Sequence, residues 1–298
     1  MKKKVITRIF GGLGNQLFCY AVAKKIAIIN NAELIIDNIS GFEKDRYNRK
    51  YLLNNFNIQA RLITKNETLY PLTRYRYSIL RRFNKLLKFE NRFYIQHEGV
   101  DFDKRVLNIN IKKKLYLEAC WQSENYFHDI KEIIKNEFQL NLKLNNENTH
   151  YLNLINNTNS ICLHIRFFDN NETGPNNISE DYYKKAIYFI INKISNPTFF
   201  VFSDNLKLAK QKLNLNHLNV HYVNINSSKD DPICDFFLMK NCKHFIIANS
   251  TFSWWAAWLS EYVEKIVIAP NYKIGKSNNT VTSWGFEGLI PNNWIKIN

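Results

Sequence analysis

Four short segments gather side chains suited to binding anions and polar edges: Gly11-Gly12-Leu13-Gly14-Asn15-Gln16, His164-Ile165-Arg166-Phe167-Phe168-Asp169, Ser203-Asp204-Asn205, and Ala248 to Trp255. In the first, glycines let backbone approach a ligand closely, and a helix behind them would offer N–H groups to an anion. The spacing is not GxGxxG, so a plain tight turn stands beside the binding role, with Asp37 the candidate acid at a dinucleotide cofactor's usual distance. In the second, Arg166 carries a planar guanidinium suited to gripping phosphate through two bonds. His164 shares its face by the two-residue alternation of a strand. Pairing of Arg166 with Asp169 as a structural ion pair is the competing role, and both can hold at once. In the third, a carboxylate and an amide can read the polar edge of a base or ribose, or cap the next helix. In the fourth, hydroxyls and backbone amides at a helix start form an anion site, while Trp254, Trp255 and Trp258 read as core packing rather than a stacking platform.

Together these segments describe a nucleoside-diphosphate pocket without a metal cluster. No paired carboxylates, HxxxH or DxD lies near them. Arg166 and the helix start would stabilise a departing diphosphate instead.

Each segment follows an expected strand. Val5 to Phe10 is a short β-prone run, helical spacing follows through Leu17, Tyr20, Ala21, Lys24 and Ile28, and Ala32 to Asp37 reads as a second strand. From residue 160 the alternation is regular. Strands are expected at Ile161–Ile165, Pro197–Phe202, Val220–Val223, Phe245–Ala248 and Lys265–Ala269, and helices at Tyr182–Ile194 (capped by Ser179), Leu206–Leu213, Pro232–Cys242 and Phe252–Leu259. That pattern gives a doubly wound parallel sheet whose crevice lies at the carboxyl ends of the strands. Between residues 40 and 120 two features stand out: a basic amphipathic helix with Leu72, Tyr75, Ile79, Phe83 and Leu86 on one stripe, and no clean caps elsewhere. Asp129–Leu140 reads as a helix, and the Asn-rich stretch 141–159 as a connection between domains.

The chain has 298 residues, 45% of them hydrophobic, enough for two ordinary domains and too apolar for disorder. Its formal net charge is +15, of which residues 1–150 supply most, with 27 basic and 15 acidic side chains; residues 61–92 are the densest part. The five cysteines are odd in number, lack CxxC spacing and sit in apolar stretches, as expected of buried thiols in a cytoplasmic protein. Met1-Lys2-Lys3-Lys4 looks like the start of a signal peptide, but Arg8, Gly11 and Gly12 interrupt the apolar run, and no stretch is long enough to span a bilayer.

The four ordered motifs resemble those of the bacterial α-1,2-fucosyltransferases, over nearly the whole chain. The resemblance implies an α/β fold of GT-B type, two Rossmann-like domains with parallel sheets facing a cleft: residues 1–150 binding the acceptor and 151–298 binding GDP-β-L-fucose. It implies metal-independent transfer of fucose, with inversion and no cofactor, to the 2-hydroxyl of a terminal β-galactoside in O-antigen-type polysaccharide synthesis. In that role Arg166 would bind the diphosphate, His164 would border it and Asp204 and Asn205 would face the guanosine. Ser250, Thr251 and Phe252 would line phosphates and base, with Gly14 and Gln16 on the donor side. Asn15 would reach the reaction centre, and Asp169, Glu172 and Asp37 are candidate general bases. One departure is Phe167, where the family commonly has a second Arg; it leaves Arg166 more heavily relied upon, or Arg8 or a lysine substituting.

Two other classes fit less. A nucleic-acid binder would explain the charge, with Tyr75, Tyr77, Phe83 and Phe89 among basic residues, but no nucleic-acid module is present and the strand-end motifs would go unexplained. A dinucleotide-dependent oxidoreductase lacks its glycine fingerprint. The excess charge is instead expected to bring the protein to the anionic inner membrane face, near a lipid-linked acceptor.

Overall fold

The computed structural model describes residues 2–64, 67, 79, 82–96, 101–168, 173–226, 232–273 and 284–298. The chain divides into two compact units, Met1–Asn141 with Glu287–Leu289, and Leu142–Phe286 with Ile290–Asn298. Each is built on a parallel sheet.

Unit 1 starts with strand β1 (Lys4–Arg8), helix α1 (Leu13–Ile29) and strand β2 (Glu33–Asp37). The middle of β1 is buried, and α1 is buried on almost every side through its first three turns, so it is a core helix rather than an amphipathic surface one. Strands β3 (Arg61–Leu62), β4 (Tyr94–Gln96) and β5 (Lys114–Glu118) complete a sheet of order β3-β2-β1-β5-β4. Sequence pattern missed these last three, because two or three apolar residues among Lys and Asn carry no period. Val5 pairs in register with Leu34 on one side and Leu115 on the other. Helix α2 (Lys131–Glu137) follows.

Unit 2 opens with helix α3 (Asn146–Asn157), in the stretch expected to be a connection. Its Asn-rich sequence reads as loop, yet Asn145 accepts the Asn148 N–H as N-cap, and Asn148 is buried against Asn226. Then come β6 (Asn159–Ile165), α4 (Glu180–Ile191), β7 (Pro197–Ser203), α5 (Leu206–Lys212), β8 (Asn219–Tyr222), α6 (Pro232–Asn241), β9 (His244–Ile246), α7 (Thr251–Leu259) and β10 (Val267–Pro270). A further strand, β11 (Ile295–Ile297), extends the sheet beyond the expected last one. The order is β11-β10-β9-β6-β7-β8, with every pairing parallel. Ile161, Leu163, Phe199, Val201, Ile246 and Ile268 form the sheet side of its core against Tyr182, Ala186 and Ile190 of α4. Trp254, Trp255 and Trp258 stack into a buried cluster with Trp294, as core packing requires.

The expected basic helix falls largely outside the described residues; Ile79 and residues 82–85 are helical. All five cysteines are free thiols and four are buried. Among the described residues no helix is long and apolar enough to cross a membrane.

Candidate active site

In a parallel sheet the chain's strand order reverses at one point, and connections leave that point in opposite directions, opening a crevice at the carboxyl ends. In unit 2 the reversal lies between β6 and β9, since β7 and β8 continue one way and β10 and β11 the other. The His164 and Asn249–Trp255 motifs follow these two strands.

They meet directly. His164 Nδ1 lies 2.8 Å from Ser253 Oγ in the first turn of α7, and Phe252 sits 6.1 Å from the imidazole ring. The Ser253 hydroxyl donates to Ser250 O, so the ring donates from Nδ1. Burial, with the Arg166 charge beside it, pushes the His164 pKa down to about 3. The imidazole is therefore a neutral strut joining β6 to α7, and Tyr183 secures the same strand by donating to His164 O. Ser253 was not singled out in the sequence, although it stands three residues after Ser250, the spacing of one helical turn.

Arg166 is the first residue past β6, and its side chain is 38% exposed. Its Nη1 lies 3.1 Å from Asp204 Oδ2, and Asp204 Oδ1 accepts the Phe167 N–H at 2.9 Å. The expected structural partner of Arg166, Asp169, lies with Glu172 outside the described residues. Desolvation of the Asp204 carboxyl raises its pKa, and the Arg166 charge and the Phe167 N–H oppose that. Phe168 lies beneath the guanidinium, 5.6 Å from ring centroid to Cζ. Two side chains, Asp204 and Phe168, thus hold one cation at the mouth of the sheet.

Phe167 points the other way. It is 1% exposed within the core of unit 2, among Ile178 and Tyr183. Burying a phenyl ring there is favourable where an isolated guanidinium would be costly. Arg8, the other cation considered, lies in unit 1, where it binds Glu118 at 2.7 Å and Ser40.

The α7 start supplies Ser250 as N-cap, its Oγ accepting the Phe252 N–H. Thr251 and Phe252 begin the helix half-buried, with Phe252 edge-on to Phe236. Asn205 caps α5, its Oδ1 accepting the Leu208 N–H.

In unit 1 the glycine motif behaves differently from expectation. Gln16 is fully buried; its amide donates to Gly11 O and Lys50 O and accepts the Leu52 N–H, each at 2.9 Å. It staples the 50–52 loop to the turn, with both amide N–H groups used and the side chain fully buried. Gly14 is buried in the first turn of α1. Asp37 is no base either, being wholly buried and accepting from Ile39 N, Ser40 N, Ser40 Oγ and Tyr116 Oη. Asn15 alone of these polar side chains is half-buried, in the first turn of α1 beyond the carboxyl end of β1.

A guanidinium and a helix start thus stand at the switch point of a second Rossmann-like unit. The sequence pattern of glycosyl transferase family 11 matches residues 4–298. The chain belongs to this family. Family 11 relatives include an α-1,2-colitosyltransferase of Escherichia coli, 30% identical over 89% of this chain and 91% of its own length. The O-antigen biosynthesis glycosyltransferase WbnK of Escherichia coli is 33% identical over 92% and 97%. A galactoside α-(1,2)-fucosyltransferase 1 of Rattus norvegicus is 27% identical over 46% of this chain and 40% of its own. In fold, the chain is similar to the NodZ α-1,6-fucosyltransferase soaked with GDP-fucose, with a TM-score of 0.50 at 15% identity over 87% of this chain and 93% of that one. The protein is therefore a family 11 glycosyltransferase of GT-B-like fold.

Proposed function

We propose that the enzyme transfers L-fucose from GDP-β-L-fucose to the 2-hydroxyl of a terminal β-galactoside, with inversion, in O-antigen-type polysaccharide synthesis. The observation that carries this is Arg166, held by Asp204 beside the α7 start at the unit 2 switch point. The diphosphate binds there, and Ser250, Thr251 and Phe252 border it. As the anomeric C–O bond to the diphosphate breaks, negative charge grows on its oxygens, and the guanidinium and helix amides stabilise it. The acceptor oxygen attacks the opposite face, forming the α-linkage. Its proton passes to Asp169 or to the departing diphosphate itself. The cation in this scheme is a side chain, so turnover is expected to survive EDTA.

The relatives' names support both halves of this reading: α-1,2 linkage in the colitosyltransferase and galactoside acceptors in the mammalian enzyme. The sugar is the point that separates them. GDP, UDP and ADP compared by thermal shift, then GDP-fucose assayed with β-galactosides and the product linkage read by NMR, test the proposal. GDP-selective stabilisation and an α-1,2-fucosyl product are expected; turnover of a colitosyl donor without fucosyl transfer would overturn it.

The acceptor side carries a second element. Ile79, Phe83 and Leu86 are 58%, 63% and 81% exposed, with Arg82, Lys85 and Lys88 around them. Apolar side chains ringed by cations suit the surface of an anionic bilayer, which would bring a cytoplasmic enzyme to a lipid-linked acceptor.

A further inference from the structure

We infer that the amino-end face of the unit 1 sheet is a second membrane contact, docking on the phosphates of an anionic phospholipid bilayer. The inference deepens the membrane-contact reading above and rests on it, though its residues lie elsewhere in the chain. The sequence holds two lysine triplets, Lys2-Lys3-Lys4 and Lys112-Lys113-Lys114, far apart in the chain. Strands β1 and β5 pair in parallel with Lys4 opposite Lys114, and Lys4 N donates to Lys113 O at 3.0 Å. Neighbouring strands run about 4.8 Å apart, so the fold sets the triplets side by side at one end of the sheet.

Carboxylates there do not balance them. Lys4 Nζ reaches Glu67 at 3.3 Å, but Arg61 also takes Glu67, at 2.7 Å, and Glu33, at 3.0 Å. Lys2, Lys3, Lys112 and Lys113 make no ion pair among the described residues. Burial lowers the Lys114 pKa and the Lys4 charge adds to that, with Glu67 opposing. Like charges opposite one another on paired strands destabilise a sheet, and a polyanionic surface relieves this.

Apolar groups project from the same end. Helix α1 runs back against the parallel strands β1 and β2, and its core residues give way in the last turn to Ile28 and Ile29, 43% and 47% exposed. Ile29, Lys3, Asn31, Asn108 and Asn110 line a groove of about 470 Å³, where ammonium and amide N–H groups suit a phosphodiester. The stripe of Phe83 and Leu86 comes to this end too. Asn84 binds Tyr94 O and the Phe93 N–H at the start of β4, and Glu90 O accepts the Asn110 N–H, two residues before Lys112. Cations around exposed aliphatic side chains suit the interface of an anionic bilayer. The crevice opens at the opposite, carboxyl ends of the same strands, so docking on this face leaves it uncovered.

Lys112→Gln with Lys113→Gln, both at exposed positions, is expected to lower partition into phosphatidylglycerol vesicles about thirtyfold. The circular dichroism spectrum and transfer to a soluble acceptor should not change. On those vesicles, but not on phosphatidylcholine, backbone hydrogen exchange should slow in residues 28–31 and 107–113. It should stay as in solution in residues 38–48, beyond the carboxyl end of β2. Full partition of the lysine variant, alongside loss in Phe83→Ser with Leu86→Ser, would overturn the inference and leave the stripe as the membrane contact. Loss in the lysine variant with full partition of the Phe83 and Leu86 variant would uphold this face and overturn the stripe. No partition of the wild type would overturn both. Slowed exchange at 38–48, or capture of a labelled oligonucleotide through the same lysines without capture by vesicles, would also overturn the inference.

Discussion

Asp204 grips Arg166 through Oδ2 at 3.1 Å while its Oδ1 accepts the amide of Phe167, the residue next to that arginine. One carboxylate thus fixes both the guanidinium and the backbone that carries it. The consequence is a cation with its direction set before any diphosphate arrives, which is how preorganised charge lowers a barrier.

Arg166→Ala is accordingly expected to cut kcat about a hundred- to a thousandfold, with an unchanged far-ultraviolet circular dichroism spectrum. Asp204→Ala should lose about tenfold through a loosened Arg166, and Asp204→Asn less, since the amide oxygen can still accept from Phe167. Near wild-type turnover in Arg166→Ala would remove the mechanism.

His164 sets a pH dependence of stability rather than of catalysis. Its folded pKa, about 3, is below the ordinary histidine value of 6.5. The unfolded chain therefore binds a proton that the folded one refuses, so the stabilisation is present above pH ~6.5 and is lost as pH falls towards 3. Between pH 6 and 4 the wild type should lose about 1.4 kcal/mol per pH unit more than His164→Gln. Urea unfolding across that range is the measurement, and parallel pH curves would contradict the buried neutral ring.

Gln16 is a structural staple. Gln16→Ala leaves the Leu52 N–H and two carbonyls without their bonds in a buried site, which is expected to cost about 2–4 kcal/mol. The denaturant midpoint should fall while the KM for the sugar nucleotide stays constant. A raised KM with unchanged stability would return Gln16 to the donor site.

The exposed stripe gives a test of membrane contact. Sedimentation with vesicles containing phosphatidylglycerol should recover the wild type, recovery should fall with added salt, and Phe83→Ser with Leu86→Ser should abolish it. Equal recovery with neutral vesicles, or none with either, would leave the basic face as solvated surface.

Much of this protein is determined by local sequence. Ile161–Leu163 and Phe199–Phe202 are continuous apolar runs, as a strand covered on both faces requires; Ser179 and Ser250 cap helices because their hydroxyls reach the first orphan amides. Those signals lie within a few residues of each other, so the sequence alone carries the alternation of unit 2 and the first βαβ of unit 1, and puts Arg166 at a strand end. What it could not decide depends on groups far apart in the chain. Gln16 and Asn15 are adjacent amides in one motif, yet one is consumed by Lys50 and Leu52 while the other meets Gln122. Asp37 ends one strand and Asp204 follows another, yet one is saturated by Tyr116, Ser40 and Ile39 and the other holds an arginine. A side chain's hydrogen-bonding capacity is finite, and only the tertiary structure decides which partners arrive to use it.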